Sequence, residues 1–471
     1  MMEVALGQQI YNKLINLFLA CPPKLQQRGA AWPSEAQACH AFRVGHRAIR
    51  YKSGHAKGQH TEFIPSAVSG SFPLLSLAEL PAPNYSETLK EAEVIKSLIS
   101  QTLEHGGAFS FWRMPKSEEK VLFICNSGIT ELDEISLEES EPGFVFAPFR
   151  PDQKKIFLKA DLVFKFKDDA LIESPSSYQY KSKTAEEGRT EQNKINYYTS
   201  KNNFQQPSNY QQVVAEGINQ IEAGVLEKIV PSRFKEVELS KTFDLVQAFN
   251  SLCDKHPNAM VSLFSSPNTG TWLGATPELL VSIDRDLKFK THALAGTLPY
   301  SPDIDLKSVA WTQKEIEEQA LVCRYIINCF KKIRLREYLE QGPKTIVAGN
   351  VMHLKTDYEV DMKEVNFPQL GSVMLKLLHP TSAVCGMPLE ASIKFLKEHE
   401  GYDREFYSGY LGPVNYQNES SIFVNLRCMQ LLEDKARLYA GAGVTVDSIP
   451  EKEWEETEMK MRSLLGVLGN R

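Results

Sequence analysis

The sequence lacks the marks of several protein classes. It carries 53 lysine and arginine residues against 59 aspartate and glutamate residues, so it has no basic excess of the kind that nucleic-acid binders show. Its eight cysteines contain no C-x-x-C pair, which favours reduced thiols in a cytoplasmic protein over disulfides or structural zinc. No apolar run reaches the roughly 18 residues of a membrane-spanning helix, so no membrane contact is expected. A phosphate loop and a G-x-G-x-x-G motif are also missing, and nucleotide use is not indicated.

What is present describes an ordinary globular chain of 471 residues, 42% of them apolar. Residues 1–75 are basic and poorly periodic, which predicts an extension whose composition is compatible with disorder. Regular patterns begin near residue 86, and the polar stretch 168–206 predicts a long surface loop or linker. We therefore expect an amino-terminal subdomain with this linker over residues 76–205 and a catalytic core over residues 206–471.

Strand-like alternation is mixed with helical spacing, without a repeating βαβ order, and this pattern predicts an α+β fold with large antiparallel sheets. A long helix is expected over residues 305–335. Single strands are expected over residues 155–166, 227–239 and 345–354. Phenylalanines at alternating positions are expected in the core: Phe109, Phe111, Phe144, Phe146 and Phe157.

The stretch from residue 377 to residue 460 has the most unusual residues. Gly441 and Gly443 lack a Cβ, so backbone N–H groups there could approach an anion, although most such turns only reverse the chain. Arg427 interrupts an apolar stretch that predicts a strand. A guanidinium in that position needs a partner, and its shape suits a carboxylate.

Two residues could act as base and acid. Lys228 begins a strand-like run, where it is either a solvent-facing lysine or, in a closed pocket, an uncharged amine able to accept a proton. Glu278 follows Pro277 and either caps a turn or lies partly buried, where its pKa would be raised and it could donate a proton.

Carboxylates lie at helical spacing on two predicted helices. Glu315 and Glu318 are one turn apart on the long helix, and Glu453, Glu456 and Lys460 share a face of the last helix. Such a face is often only solvated. Two carboxylate helices facing the Gly-Ala-Gly turn would instead hold one hard cation, and Mg²⁺ suits few protein oxygens plus ligand and water.

In combination, these segments resemble the chorismate-utilising enzymes, which include isochorismate, salicylate, anthranilate and aminodeoxychorismate synthases. The resemblance covers residues 210–468 densely and rests on blocks in one order: KIVPSR (228–233), LGATPELL (273–280), ALAGT (293–297), KEIEEQALV (314–322), MHL (352–354), LLHPTSAVCG (377–386), YDREFYSGYLG (402–412), NLRC (425–428), RLYAGAGV (437–444) and EWEET (453–457). It implies the chorismate-binding fold, an α/β sandwich of two large antiparallel sheets surrounded by helices.

The resemblance also implies roles by position. Lys228 would activate water for attack at C2 of chorismate, and Glu278 would protonate the departing C4 hydroxyl. Glu318 and Glu456 would bind Mg²⁺, with Glu453 close by through water. The implied substrate-binding positions are Ala295, Gly296, Thr297, His353, Ala383, Tyr407, Leu426, Arg427, Gly441, Ala442, Gly443 and Lys460. One departure from the family is Gln319, at a position where the family often has histidine. Glutamine there would loosen the surroundings of the metal.

Within the family, the residues favour isochorismate synthase. Anthranilate synthases have glutamine in place of Lys228, and aminodeoxychorismate synthases have lysine in place of Ala295, so no glutaminase subunit is expected. Ala383 and Val384 are apolar, as in isochorismate synthases. Tyr407 and Leu426 occur in salicylate synthases, but together with Tyr439 they also resemble the isochorismate synthases of the menaquinone pathway. A siderophore pathway, a salicylate synthase and a non-catalytic binding homologue remain alternatives. We expect a cytoplasmic monomer or weak homo-oligomer that binds chorismate.

Overall fold

Two antiparallel sheets organise the part of the chain that the structure describes. The structure, a computed structural model, describes residues 90–176, 197–199, 207–348 and 351–468. The chain divides into two compact units, Met1–Ala82 and Pro83–Arg471, and every described residue belongs to the second. The predicted extension over residues 1–75 and its boundary lie outside the described residues.

The described residues form twenty strands and seven helices. The strands are β1 (Ala108–Arg113), β2 (Lys120–Cys125), β3 (Thr130–Leu132), β4 (Gly143–Ala147), β5 (Lys155–Lys159), β6 (Leu162–Lys167), β7 (Ala170–Glu173), β8 (Lys228–Ile229), β9 (Ser232–Glu238), β10 (Met260–Ser266), β11 (Gly270–Thr276), β12 (Leu279–Ile283), β13 (Lys288–Pro299), β14 (Leu339–Ala348), β15 (Val351–Asp361), β16 (Gly386–Met387), β17 (Tyr410–Val414), β18 (Ser420–Val424), β19 (Cys428–Leu431) and β20 (Lys435–Gly441). The helices are α1 (Glu91–Glu104), α2 (Tyr210–Glu222), α3 (Leu245–Lys255), α4 (Gln313–Lys332), α5 (Leu370–Leu378), α6 (Leu389–His399) and α7 (Pro450–Leu465).

Each large sheet has nine strands. The first has the order β7-β6-β2-β1-β10-β11-β19-β20-β9, the second has the order β14-β15-β13-β12-β18-β17-β4-β5-β3, and β8 pairs separately with β16. Both sheets cross the predicted boundary near residue 205, because β1 pairs with β10 and β4 pairs with β17. The predicted α+β sandwich of two large antiparallel sheets with surrounding helices is confirmed.

Aromatic side chains from the two sheets contact each other in the core. The ring of Trp112 on β1 lies 5.1 Å from that of Phe144 on β4, and Phe146 lies 4.6 Å from Phe264 on β10. Burying such a side chain fully contributes about 2–3 kcal/mol, so these contacts hold the sheets together. All five phenylalanines expected in the core are buried.

Helices cover the outer faces of the sheets. Apolar residues of α1, α3 and α7 pack against the first sheet, and those of α4 and α5 pack against the second. Helix α7 also packs against α2 and β20. Among the described helices, none combines the length and apolar character that crossing a membrane would require.

Several predicted boundaries were wrong. The long helix begins at Gln313 rather than at residue 305, because Thr312 and Glu315 form a capping box there. The strand expected over residues 227–239 is two strands, since Pro231 between them lacks a backbone donor. The segments 155–166 and 345–354 each span parts of two strands, β5 with β6 and β14 with β15.

Candidate active site

A cavity lies where strands of both sheets meet α4 and α7. The space between its walls is about 690 Å³, including the part that opens to solvent. The predicted site residues that line it are Glu278, Ala295, Gly296, Thr297, Glu318, His353, Ala383, Tyr407, Leu426, Arg427, Gly441, Gly443 and Lys460. The structure therefore brings together residues that are up to 182 positions apart, from Glu278 to Lys460.

Lys228 lies directly behind the wall of this cavity. Its side chain is fully buried, and its Nζ donates a hydrogen bond to Oε1 of Glu318 at 2.8 Å. Gly443 makes room for this pair, since a Cβ there would lie 2.1 Å from the same carboxylate oxygen. Lys228 is thus not a solvent-facing strand residue, and its charge is compensated by a neighbouring carboxylate.

Glu278 lines the cavity from the turn that leads into β12. The side chain is 8% exposed. Burial raises the pKa of Glu278 to about 7, although Lys228, Lys460 and Arg427 act in the opposite direction. A carboxyl group with this pKa can hold a proton near neutral pH and release it during a reaction.

Arg427 does not lie within a strand, which corrects the prediction. It lies between β18 and β19 with a φ of 47°, a left-handed conformation that is uncommon for residues other than glycine. Burial lowers its pKa, and the guanidinium forms no ion pair with any described carboxylate. Such strain is typical of functional positions, and the guanidinium that lines the cavity is suited to a carboxylate ligand.

His353 contacts Arg427 from β15. Its Nε2 lies 3.4 Å from Nη2 of Arg427, and its Nδ1 lies 2.7 Å from the carbonyl oxygen of Gly296. Burial, together with the charge of Arg427, lowers the pKa of His353 to about 3. The imidazole is therefore neutral at physiological pH, with Nδ1 as the donor to Gly296.

The Gly-Ala-Gly turn is used differently from the prediction. Gly441 is required because a Cβ there would lie 2.8 Å from the carbonyl oxygen of Pro231. Ala442 does not line the cavity, and its N–H is directed to that same oxygen rather than to a ligand. Lys460 donates to the carbonyl oxygen of Gly441 at 2.8 Å, and the buried Tyr407 stacks on Tyr439.

Glu453 and Glu456 lie outside the cavity lining but close to it. Glu456 pairs with Lys460 at 2.7 Å, and Glu453 pairs with Lys314 at 2.6 Å. Glu453 is 1% exposed, and its Oε2 has no hydrogen-bond partner. Burial and the neighbouring Glu456 raise the pKa of Glu453.

The third carboxylate, Glu318, has the opposite shift. Burial alone would raise the pKa of Glu318, but Lys228, with Lys314 and Lys460, outweighs burial and lowers it. In the part of the chain that the structure describes, no three histidine, cysteine or acidic side chains converge as a ready metal site. The donor chemistry of these glutamates nevertheless fits a hard cation, and the unpartnered Oε2 of Glu453 is a free ligand atom.

Gln319 anchors α4 to the second sheet. Its Nε2 donates to the carbonyl oxygen of Ala293 on β13 and to Oγ1 of Thr356 on β15. The side chain is 2% exposed, and its Oε1 has no partner. This residue therefore orients the helix that carries Glu318.

Sequence reasoning missed two features of the site. The first is Lys314, which lies four residues before Glu318 in the block KEIEEQALV. The second is the buried pair of Glu400 and Arg404, in which Arg404 donates to the carbonyl oxygens of Val230 and Val384. The isolated i, i+4 spacing of an acid and a base was a signal for that pair, but this spacing alone is common on surfaces.

Comparisons with known proteins agree with this arrangement. Residues 148–469 match the family described as chorismate binding enzyme. Isochorismate synthase EntC of Escherichia coli (strain K12) is 27% identical over 304 residues, which cover 64% of this chain and 77% of EntC. Isochorismate synthase DhbC of Bacillus subtilis (strain 168) is 30% identical over 279 residues, which cover 56% of this chain and 68% of DhbC.

A solved structure has the same fold. It is MenF, described as the menaquinone-specific isochorismate synthase from Escherichia coli, with a TM-score of 0.59 and 19% identity, covering 79% of this chain and 91% of MenF. The likeness at this identity concerns the fold alone. The family match extends over well more than half of the 471 residues. This chain therefore belongs to the chorismate binding enzyme family.

Proposed function

We propose that this protein is an isochorismate synthase, which converts chorismate to isochorismate. A C–O bond forms between water and C2 of the ring, the ring double bonds shift, and the C4–O bond breaks. The product is an isomer of the substrate, so the reaction needs no net oxidant, reductant or proton. The observation that carries this proposal is a buried lysine directly behind the wall of the cavity and a buried, protonatable glutamate that lines the same cavity.

Lys228 and Glu278 would share the proton transfers. Lys228, once its ammonium has given up a proton, accepts one from the attacking water, and Glu278 donates one to the departing hydroxyl. A Glu278 pKa of about 7 suits this role because about half of the acid is protonated at neutral pH and most of it is protonated below neutral pH. Lys228, in turn, is held by the antiparallel pairing of β8 with β16 and by its contact with Glu318.

The remaining residues of the cavity would bind the two carboxylates of the substrate. We assign the carboxylate of the pyruvyl ether to Arg427, whose guanidinium lines the cavity without an ion pair to a described carboxylate. Tyr407 and Lys460 line the same cavity, and the small residues Ala295, Gly296 and Ala383 leave space for the ring. His353 would position Arg427 rather than transfer a proton.

We further propose Mg²⁺ as the cofactor. Glu318, Glu453 and Glu456 would hold it, because their carboxylate oxygens are the donors that Mg²⁺ prefers and Glu453 has one buried oxygen without a partner. When bound, the ion would neutralise and orient the ring carboxylate of chorismate. The pathway we favour is menaquinone biosynthesis in the cytoplasm, with siderophore biosynthesis as the alternative, by a monomer or weak homo-oligomer without a glutaminase subunit.

The test is to incubate the purified protein with chorismate and Mg²⁺ and to separate the products by chromatography. Isochorismate as the main product, without pyruvate, is the expected result. Salicylate fluorescence with an equal amount of pyruvate would instead identify a salicylate synthase. Binding of chorismate without any product would identify a non-catalytic homologue.

A further inference from the structure

Lysine ammonium groups alternate with the three carboxylates of the proposed cation site. Each carboxylate has one lysine of its own within hydrogen-bond distance. The pairs, with their N–O distances, are Lys228 with Glu318 at 2.8 Å, Lys314 with Glu453 at 2.6 Å, and Lys460 with Glu456 at 2.7 Å. A divalent cation that uses these oxygens therefore has to share them with, or take them from, three cations that belong to the protein.

Lys314 differs from the other two lysines. Lys228 is fully buried, and Lys460 lines the cavity and also donates to the carbonyl oxygen of Gly441. Lys314 lies in the first turn of α4 outside the cavity lining, and its ion pair with Glu453 is its one polar side-chain contact in the described structure. Its side chain is 23% exposed, against 1% for Glu453. The lysine can therefore swing into water at little cost, while the glutamate cannot leave its buried position.

The ammonium of Lys314 also lies in the field of all three carboxylates. Its Nζ lies 2.6 Å from Oε1 of Glu453, and Glu456 and Glu318 also act on its charge. Its charge is thus close to where a cation bound by these residues would lie. Two cations in this field repel each other, and the repulsion is strong because the site is partly shielded from water.

We propose that Lys314 is a built-in competitor of the metal, a positioning residue that holds Glu453 until Mg²⁺ displaces its ammonium. This inference rests on the proposed Mg²⁺-dependent function. Lys314 keeps the buried Glu453 paired, because a buried carboxylate without any partner is strongly destabilising. The same pairing weakens the cation affinity, since binding includes the cost of separating lysine from glutamate.

The test is calorimetric titration of Mg²⁺ into wild type and Lys314→Met, without chorismate. Methionine keeps the aliphatic stem and removes the charge, so the dissociation constant should fall by about fivefold or more, as expected for removing a nearby like charge. Lys314→Arg keeps the charge and should bind like wild type. The matched control is Lys331→Met, which removes an exposed charge at the other end of the same helix and should leave the affinity unchanged.

Thermal unfolding provides a second readout. Lys314→Met leaves Glu453 without its lysine, so the variant should unfold at a lower temperature than wild type in chelator and gain more than wild type when Mg²⁺ is added. Lys314→Gln, which is uncharged but can still donate a hydrogen bond, serves if the methionine variant does not fold. It should bind Mg²⁺ more tightly as well.

Mg²⁺ binding by Lys314→Met and Lys314→Gln that is equal to or weaker than that of wild type would overturn the proposal. An equally large gain in Mg²⁺ affinity in Lys331→Met would overturn it as well. A wild type that binds no Mg²⁺ would overturn it too. Chorismate turnover in the same samples separates this inference from the proposed function. If wild type turns over chorismate but the Lys314 variants bind Mg²⁺ no more tightly than wild type, only the competition between Lys314 and the metal is rejected. If the Lys314 variants bind Mg²⁺ more tightly but wild type does not turn over chorismate, only the proposed reaction is rejected.

Discussion

The two walls of the cavity treat buried charge in opposite ways. What we call the paired wall consists of Glu318 and Lys460 in the cavity lining together with Lys228, Lys314, Glu453 and Glu456 behind or beside it. Every charge in this group has a partner of opposite sign. The unpaired wall consists of Glu278, His353 and Arg427, which form no ion pair with each other or with other described residues. Both walls are largely buried, so the presence or absence of a partner makes the difference.

Two glutamates show the consequence. Burial would raise the pKa of both, but lysines lower the pKa of Glu318, whereas the pKa of Glu278 stays at about 7. The paired glutamate is thus kept as an anion, suited to bind a cation, and the unpaired one can hold a proton. Two carboxyl groups in one cavity acquire different chemistry because their surroundings move their pKa values apart.

Removing Lys228 should break the paired wall most severely. Lys228→Met removes the proposed base and leaves Glu318 without its nearest cation, so chorismate turnover should fall by about 10³-fold or more. Steady-state assays of isochorismate formation measure the loss, and circular dichroism checks the fold. Lys235→Met, on the exposed side of β9, is the control and should keep wild-type turnover. Turnover within tenfold of wild type in Lys228→Met would remove this lysine from the mechanism.

Replacing Glu278 should show what the unpaired wall contributes. Glu278→Gln cannot donate the proton, so turnover should fall by about 10²-fold to 10³-fold. Wild-type turnover should decline as the pH rises through about 7, because the acid then loses its proton. The residual activity of the variant should lack this decline. The pH–rate profiles of both proteins test this expectation. A decline near pH 7 that persists in the variant would assign the titration to another group.

The same substitution has a predicted effect on stability. The pKa of Glu278 in the folded protein, about 7, lies above its ordinary value of 4.5. Between these pH values the folded state therefore binds more protons than the unfolded state. Wild type loses stability as the pH rises through that window. At pH 8 Glu278→Gln should therefore be more stable than wild type, by up to about 3 kcal/mol. Denaturant unfolding at pH 5 and pH 8 measures the difference. Glu139→Gln, an exposed carboxyl, should show no such gain.

His353 should have the smallest effect. Because its pKa is about 3, its ring stays neutral across the working pH range and does not transfer a proton. His353→Gln should lower kcat/KM by less than about tenfold, through a less rigid Arg427, and leave the pH–rate profile unchanged. A loss comparable to that of Lys228→Met, or a new limb in the profile, would show that the unpaired wall contains a second proton carrier.

The sequence predicted the members of the site better than their partners. Lys228, Glu278 and Glu318 stand out because they lie in blocks with a recognisable order. The structure brings Glu278 and Glu318 to one cavity and places Lys228 directly behind its wall. Arg427 was expected inside a strand, since the alternation around it does not reveal a left-handed residue. Lys314 was missed because a lysine in the first turn of a helix is usually solvated.

The sequence by itself determined the family, the fold class and the candidate residues, because these depend on local patterns and on the order of blocks along the chain. Only the tertiary structure decided which charges are paired. Lys314 and Glu453 are 139 positions apart, and Arg427 lies 74 positions from His353, so no local pattern links them. Protonation depends on burial and on such distant neighbours, and for that reason the chemistry of Glu278 and Glu318 could be assigned only after the chain was folded.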